Sequence, residues 1–294
     1  MTEPSDALQP AVHRDRPALP TDAADLPDLG AGYASALADG LTSLGLTLAG
    51  AARAAIDAQA RLLLAWNQHI NLTAIRTPEG IARLHVLDSL SAVPVLRKRL
   101  SDAPAVLDLG SGGGYPGLPL AVALPAARLT FVDSVAKKTR FLEVVADAAR
   151  EAFSGKEAGD QPDVLALEVI TARAEQLAAG ALRESWDVVT VRAVGTLAEV
   201  AELGLPLLRR GGLLVCWKRQ AVALAAVRTA DLGLGQEIED ARGLVTELGG
   251  EPVEVVPVEG AGLAGHRLVL VRKAHPTPRR FPRLPAERRR RLLR

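Results

Sequence analysis

The sequence predicts an α/β fold, a largely parallel sheet with helices on both faces, preceded by a small helical module. Three observations carry this. From Ala105 onward, short apolar runs alternate with helical stretches, the pattern of strand–helix–strand units. The first run, AVLDL, opens into the glycine-rich turn GSGGGYPG, residues 110–117. Ahead of it, from Ala34 to about Leu100, the apolar residues recur at helical spacing.

Residues 1–30 are rich in Pro and Asp with no apolar period, and read as a disordered extension. In the helical module, residues 31–100, Ile56, Ala60, Leu63 and Leu64 share one helix face and Trp66 closes it. The polar break NQHINLTAIRTPEG separates this helix from a second, IARLHVLDSLSAV, where His85 and Asp88 stand three apart and close enough to pair. Residues 101–275 form the sheet domain. Its strands are AVLDL, LTFVD, LEVITA, DVVTVR and LLVCWK, with helices over Ala136–Ala149, Thr196–Leu208 and Ala221–Leu248. Residues 152–163 read as a surface loop, and Gly211–Gly212 as the turn into the fifth strand. VEVVPVE and HRLVLVRK complete the sheet as an antiparallel pair. In the tail, residues 276–294, four prolines oppose helix.

The 294 residues, 48% apolar, fill one sizeable core. No apolar run approaches the roughly 18 residues of a membrane span, and the polar start MTEPSDALQP is no secretory signal. A single cysteine, Cys216, forms no intrachain disulfide; a cytoplasmic setting and a core role are expected for it. No Cys/His spacing suggests a metal. The net charge of +1 hides an asymmetry: the tail holds eight Arg and one Glu, so the rest of the chain is negative. Such a tail is either an RNA contact or a solvated bystander.

Chemistry gathers around the glycine turn. Gly110, Gly112 and Gly114 follow the strand-end acid Asp108 at alternate positions, letting backbone approach a ligand beside a helix N-terminus. The second strand ends at Asp133, where an acid can hold the two hydroxyls of a ribose. Gly112, Gly114 and Gly117 also fit the dinucleotide pattern G-x-G-x-x-G. Asp108 decides against it, because a carboxylate there repels a pyrophosphate. S-adenosyl-L-methionine has no phosphate, and its ammonium and sulfonium tolerate the acid. Ligands of such sheets bind at the carboxyl ends of strands. The later strands deliver Arg173, Ala174 and Glu175, then Arg192, then Lys218 and Arg219 to that edge. Tyr115, in the loop, packs either on the ligand or on the loop itself. Asp187 begins its strand, at the opposite edge, and reads as structural.

The chain resembles the RsmG (GidB) family of bacterial small-subunit ribosomal RNA methyltransferases. WNQHINLTAI, Trp66 to Ile75, is similar to the family signature W-N-x-x-x-N-L-T-x-I, and His85, Asp88, Ser89 and Leu90 match H-x-x-D-S-L. LGSGGGYPGLPLA and DSVAKKTRFLE match the first two cofactor motifs. Arg173–Glu175, Val191–Ala193 and Lys218 match later ones, and TPRRFPR the C-terminal basic signature. The resemblance covers roughly residues 35 to 285. It implies a Rossmann-like class I methyltransferase sheet and methyl transfer from S-adenosyl-L-methionine to guanine N7 of small-subunit (16S) RNA, naked or in a ribosomal particle. It places Gly110, Tyr115, Ala174, Glu175 and Arg192 in the cofactor site and makes Asp133 the ribose-binding acid. Guanine N7 loses no proton, so no general base is needed, and alignment is the main task. Arg173, Arg192 and Lys218 would hold RNA phosphate or the guanine edge. Asn71, His85, Arg279, Arg280 and Arg283 are candidate substrate contacts. The chain departs from the family at Arg219, commonly Gly, at its ERRRRLLR end, and in its first 30 residues. Competing readings are a methyltransferase of another substrate, an NAD-linked oxidoreductase and a non-catalytic RNA-binding protein.

Overall fold

A computed structural model describes residues 18–100, 102–154, 165–220 and 232–291. Five helices come first: α1 (Gly30–Ser43), α2 (Gly50–Trp66), α3 (Pro78–Ile81), α4 (Asp88–Leu90) and α5 (Val93–Arg97). Between α3 and α4 the chain is π-helical over Ala82–Leu87. Strands and helices then alternate: β1 (Ala105–Leu109), α6 (Gly117–Ala123), β2 (Arg128–Asp133), α7 (Ala136–Ser154), β3 (Ala166–Thr171), α8 (Ala174–Ala179), β4 (Trp186–Arg192), α9 (Leu197–Gly204) and β5 (Leu208–Arg219). The chain ends with α10 (Leu232–Glu247), β6 (Glu254–Pro257), β7 (His266–Arg272) and α11 (Pro285–Arg291).

The seven strands lie in the order β3-β2-β1-β4-β5-β7-β6. The first five are parallel; β7 runs antiparallel to β5, and β6 to β7, the antiparallel pair read from the sequence. Because β1 pairs with both β2 and β4, strand order reverses beside it, and a crevice opens at the carboxyl ends of β1 and β4. Alternate residues of the central strands feed two cores. Val106, Val188 and Val215 face α1, α2, α6 and α7; Leu107, Val189 and Leu214 face α8, α9 and α10.

The helical module shares the first of these cores. Ile56, Ala60, Leu62, Leu63 and Trp66 of α2 are buried, and the Trp66 ring lies 5.4 Å from that of Phe141 on α7. Leu64, read as part of that stripe, is only half-buried; Leu62 takes its place. Trp66 Nε1 donates to Pro20 O at 2.7 Å, and Leu19, Ala23 and Leu26 pack on the same core. Residues 18–29 are therefore held against α2, which corrects the reading of all of residues 1–30 as disordered; a tryptophan needing an acceptor and a little apolar surface suffices to fix them. Residues 1–17 lie outside the described residues.

Helix α7 runs on through Ser154, past the expected start of a loop at 152; residues 155–164 lie outside the described residues, as do 221–231 of the predicted helix 221–248. Gly211 and Gly212 sit inside β5 rather than before it, where the pairing with β4 slips between Trp186 and Val188. Gly211 has φ +81°, and a Cβ on Gly212 would come within 3.0 Å of Asp187 O, so this is a glycine bulge. Asp187 is structural, as expected: its Oδ2 accepts from Ala105 N at 2.8 Å and it pairs with Arg209. Cys216 is buried, and burial pushes its thiol up to about 12, so it stays protonated in the core.

The start of the basic tail is docked. Thr277 and Phe281 are buried, and Arg183 donates to Thr277 O at 2.8 Å and Phe281 O at 2.9 Å. Helix α11 follows directly at Pro285, a position the ring tolerates in a first turn. No helix among the described residues is long and apolar enough to cross a membrane.

Candidate active site

The turn after β1 is built for close approach. Gly110 has φ +75°, and a Cβ there would sit 2.8 Å from Val194 Cγ2. Ser111 Oγ donates to Asp108 O at 2.7 Å and accepts from Val132 N at 3.0 Å, tying the turn to β2. Asp133 closes it from the other side, accepting from Gly112 N at 3.1 Å through Oδ2 and from Val135 N at 2.9 Å through Oδ1. A cavity of about 600 Å³ lies over these strand ends, lined by Gly110, Gly112, Tyr115, Asp133, Ala174 and Glu175. Its volume suits a small-molecule ligand. Each Asp133 oxygen keeps a lone pair after its amide bond, which is what ribose hydroxyls require. A Cβ on Gly112 would meet nothing closer than 3.8 Å, so that face of the loop is open.

Two residues read as cofactor-binding serve beneath the loop instead. Asp108 is 1% exposed and does not line the cavity. Its Oδ2 accepts from Gly117 N at 3.2 Å, fixing the start of α6, and its Oδ1 accepts from Thr190 Oγ1 at 3.0 Å on β4. Burial raises its pKa from 3.8 to about 6. Gly114 turns toward α2, where Gln59 Nε2 donates to Gly113 O at 3.0 Å and Gly114 O at 3.1 Å. A Cβ on Gly114 would stand 2.7 Å from that nitrogen. Gln59, which sequence reading missed, is the clamp on the glycine turn; its one signal is a polar residue inside an apolar stripe.

The opposite wall comes from the helical module. Asn67 Oδ1 accepts from Leu72 N at 2.9 Å and Thr73 N at 3.0 Å, while its Nδ2 donates to Thr73 O at 2.9 Å. This pins Leu72 and Thr73 on the cavity. Asn71, a candidate substrate contact, is exposed and does not line this cavity; the motif's first asparagine, Asn67, is the one that holds the loop. His85 sits in the π-helical turn, stacked on Tyr115 with ring centroids 4.8 Å apart. Arg192 lies over the same Tyr115 ring at 5.5 Å.

His85 and Asp88 do not pair; Arg192 joins them. Its Nη2 donates to His85 Nδ1 at 3.0 Å and its Nη1 approaches Asp88 Oδ2 at 3.3 Å and Leu84 O at 3.2 Å. Arg192 lines the cavity, and both of its terminal nitrogens are engaged by Leu84 O, Asp88 and His85 within the protein. Asp88 Oδ1 accepts from His266 Nδ1 at 2.7 Å, and His266 Nε2 accepts from Arg219 Nε at 2.9 Å. Trp217 Nε1 donates to Asp88 O at 2.7 Å. Burial and the Arg192 charge hold His85 down at about 3, so its ring is neutral. A second cavity of about 440 Å³, over β4 and β5, shares His85, Arg192, Ala193 and Val194 with the first. Ala193 has φ +58°, a left-handed turn that swings the chain between the two.

Residues 53–232 match the family GidB, rRNA small subunit methyltransferase G. The chain belongs to this family. Ribosomal RNA small subunit methyltransferase G of Roseiflexus castenholzii is 38% identical over 77% of this chain and 86% of its own length. The same-named proteins of Symbiobacterium thermophilum and Staphylococcus carnosus are 35% and 32% identical, over 85% and 76% of this chain and 94% and 82% of theirs.

In this GidB-family chain the remaining charges are mostly paired. Lys218 lines the second cavity, but its Nζ sits 2.6 Å from Glu237 Oε1 and 3.1 Å from Gly195 O. Glu175 faces the first cavity and pairs with Arg288 of α11, which lines the same cavity. Arg283 forms a forked pair with Glu202, itself 1% exposed, and Arg280 pairs with Glu247. Arg280 and Arg283 flank the Phe281 ring at 5.1 and 5.5 Å. Of these two candidate substrate contacts, Arg283 is largely committed to the buried Glu202, whereas Arg280 stays exposed beside Glu247. Arg279 is exposed, and Arg173 is exposed at the cavity rim. Among the described residues no cluster of His, Cys, Asp or Glu is suited to a metal.

Proposed function

We propose that the chain transfers a methyl group from S-adenosyl-L-methionine to N7 of a guanine in small-subunit (16S) ribosomal RNA, in the cytoplasm. The observation that carries this is the meeting of two cavities at the end of β4, where His85, Arg192, Ala193 and Val194 belong to both. One cavity has the ribose-ready carboxylate of Asp133 and the glycine turn; the other supplies room for an acceptor base. Family membership supplies the reaction class and the RNA.

The sheet order orients the first cavity. Its walls run from Ala174 and Glu175 after β3, through Asp133 at β2, to Gly110 at β1 and Arg192 at β4. The first end suits adenine, the middle ribose and the last the amino-acid part. When bound, the sulfonium donor supplies the electrophilic methyl carbon. The protein's residues do the rest. Ala174, Glu175 and Asp133 seat the adenosyl part, Gly110 takes the amino-acid part, and the Tyr115–His85 stack walls the junction. No side chain there needs to remove a proton, because the N7 lone pair is free. Arg173, exposed at the rim, takes an RNA phosphate, and Arg279 offers a second contact. The target base must stand in a loop or be flipped out to enter by the second cavity and reach the junction of the two at His85.

The test is methyl incorporation from labelled S-adenosyl-L-methionine into small-subunit RNA, offered naked and as the assembled subunit, followed by nucleoside analysis. N7-methylguanine from either substrate is the expected product. Label in another nucleoside, or none from either substrate, overturns the proposal.

A further inference from the structure

The hydrogen bonds joining the two cavities have only one consistent direction, and it leaves one proton over. Arginine can only donate. Arg219 Nε therefore donates to His266 Nε2, which forces the His266 proton onto Nδ1, where it is donated to Asp88 Oδ1 at 2.7 Å. Asp88 Oδ2 receives Arg192 Nη1. From the same guanidinium, Nη2 donates to His85 Nδ1, so the neutral imidazole carries its proton on Nε2. That proton goes to Thr73 Oγ1 at 2.7 Å. Thr73 Oγ1 also accepts from Ile75 N at 3.1 Å. Both of its lone pairs are then occupied. Its hydroxyl proton has no acceptor among the described residues, and Thr73 lines the first cavity beside His85, which belongs to both.

We infer that Thr73 is a specificity-determining residue whose hydroxyl donates to the carbonyl oxygen next to the reacting nitrogen of the acceptor purine. The inference rests on the reading of the site as guanine-methylating. On that edge guanine offers two acceptors, N7 and O6, whereas adenine offers a donor at the sixth position. The nitrogen must keep its lone pair free to attack, so recognition by a donor falls to O6. A cationic donor would oppose the positive charge the purine gains on methylation. The structure meets this by turning Arg192 onto Leu84 O, Asp88 and His85 and presenting a neutral hydroxyl at the end of the chain. Because Thr73 is fixed by acceptance from two sides, its proton has one direction left, and a purine with a donor in that place meets it as a mismatch.

Thr73→Val and Thr73→Ser, with the wild type, test this on RNA carrying guanine or 2-aminopurine, which lacks O6, at the target. The readouts are kcat/KM on each RNA and S-adenosylhomocysteine affinity by calorimetry. For the wild type, 2-aminopurine should cost about tenfold beyond its intrinsic reactivity, the worth of one hydrogen bond. Thr73→Val should lose about the same factor on guanine and lose this discrimination, while Thr73→Ser keeps it. S-adenosylhomocysteine affinity should stay within twofold throughout. Undiminished discrimination by Thr73→Val, or its loss in Thr73→Ser, overturns the inference. So does a drop in S-adenosylhomocysteine affinity matching the drop in kcat/KM, which would place the hydroxyl on the donor. Absence of transfer by the wild type to guanine RNA overturns the reading of the site itself, and with it the role given to Thr73.

Discussion

Replacing Asp108 with Asn should remove a pH dependence that the wild type carries in its core. Burial raises the Asp108 pKa from 3.8 to about 6. Between those values the folded protein holds a proton that the unfolded chain has released. The native state therefore binds more protons, and stability falls as pH rises through this window. The displacement from 3.8 to about 6 corresponds to about 3 kcal/mol at 1.36 kcal/mol per tenfold. Below the lower value the cost is absent; above the upper it is complete. Asparagine fits the site. Its oxygen can accept from Gly117 N, and its amide can donate to Thr190 Oγ1, which in turn donates to Leu107 O at 3.3 Å. Asp108→Asn should thus gain on the wild type as pH rises, by about 2 kcal/mol between roughly pH 4.5 and 7.5. Urea unfolding of both proteins across that range reads the difference, in which the other titrating groups cancel. A difference that stays constant with pH, or that shrinks as pH rises, would refute the assignment of a strained carboxylate beneath the glycine turn.

Three further outcomes are expected. Asp133→Ala should weaken S-adenosylhomocysteine binding by about 1.5–3 kcal/mol, the range for bonds to a charged group; calorimetry showing unchanged affinity would remove Asp133 from the site. Lys273, wholly buried, donates to Glu184 and Thr277 as well as to main-chain carbonyls, so Lys273→Met should cost about 3–5 kcal/mol of stability through the partners it strands, and denaturation within 1 kcal/mol of wild type would contradict this. Arg173→Ala should flatten the log-affinity against log-salt slope for RNA by about 0.7–0.9, whereas Arg283→Ala should leave the slope and lower stability, since it uncovers the buried Glu202; the reverse pattern would return the tail to RNA and take Arg173 from it.

The strands were legible because fully buried parallel strands appear as short apolar runs, and β1, β2 and β4 are buried almost throughout. The glycine turn and Asp133 were legible because the backbone there admits few residues: Gly110 needs both its φ and its missing Cβ. What stayed hidden depends on pairing across the chain. His266 and Asp88 are 178 positions apart, and nothing local to either marks the other as its partner. The partners of the tail stayed hidden for the same reason. Arg280, Arg283 and Arg288 look the same in sequence whether solvated or matched by Glu247, Glu202 and Glu175 from three other helices. Asp108 was placed on the ligand as the acid at the end of the first strand, but the strand's alternation turns it inward to the start of α6. The π-helical turn at Ala82–Leu87, which aims His85 at Thr73 and Arg192, has no signal in the apolar spacing.

The central claim is that N7 of a guanine is the nucleophile and that the two cavities only align it. The direct measurement is transfer to small-subunit RNA in which 7-deazaguanine replaces the target guanine. A carbon then stands where the lone pair was, while the pairing edge and O6 are kept. Binding of the substituted RNA should stay within a fewfold of the native RNA, and methyl transfer should vanish. Efficient methylation of the 7-deazaguanine RNA would contradict the account, because an acceptor other than N7 would then be taking the methyl group.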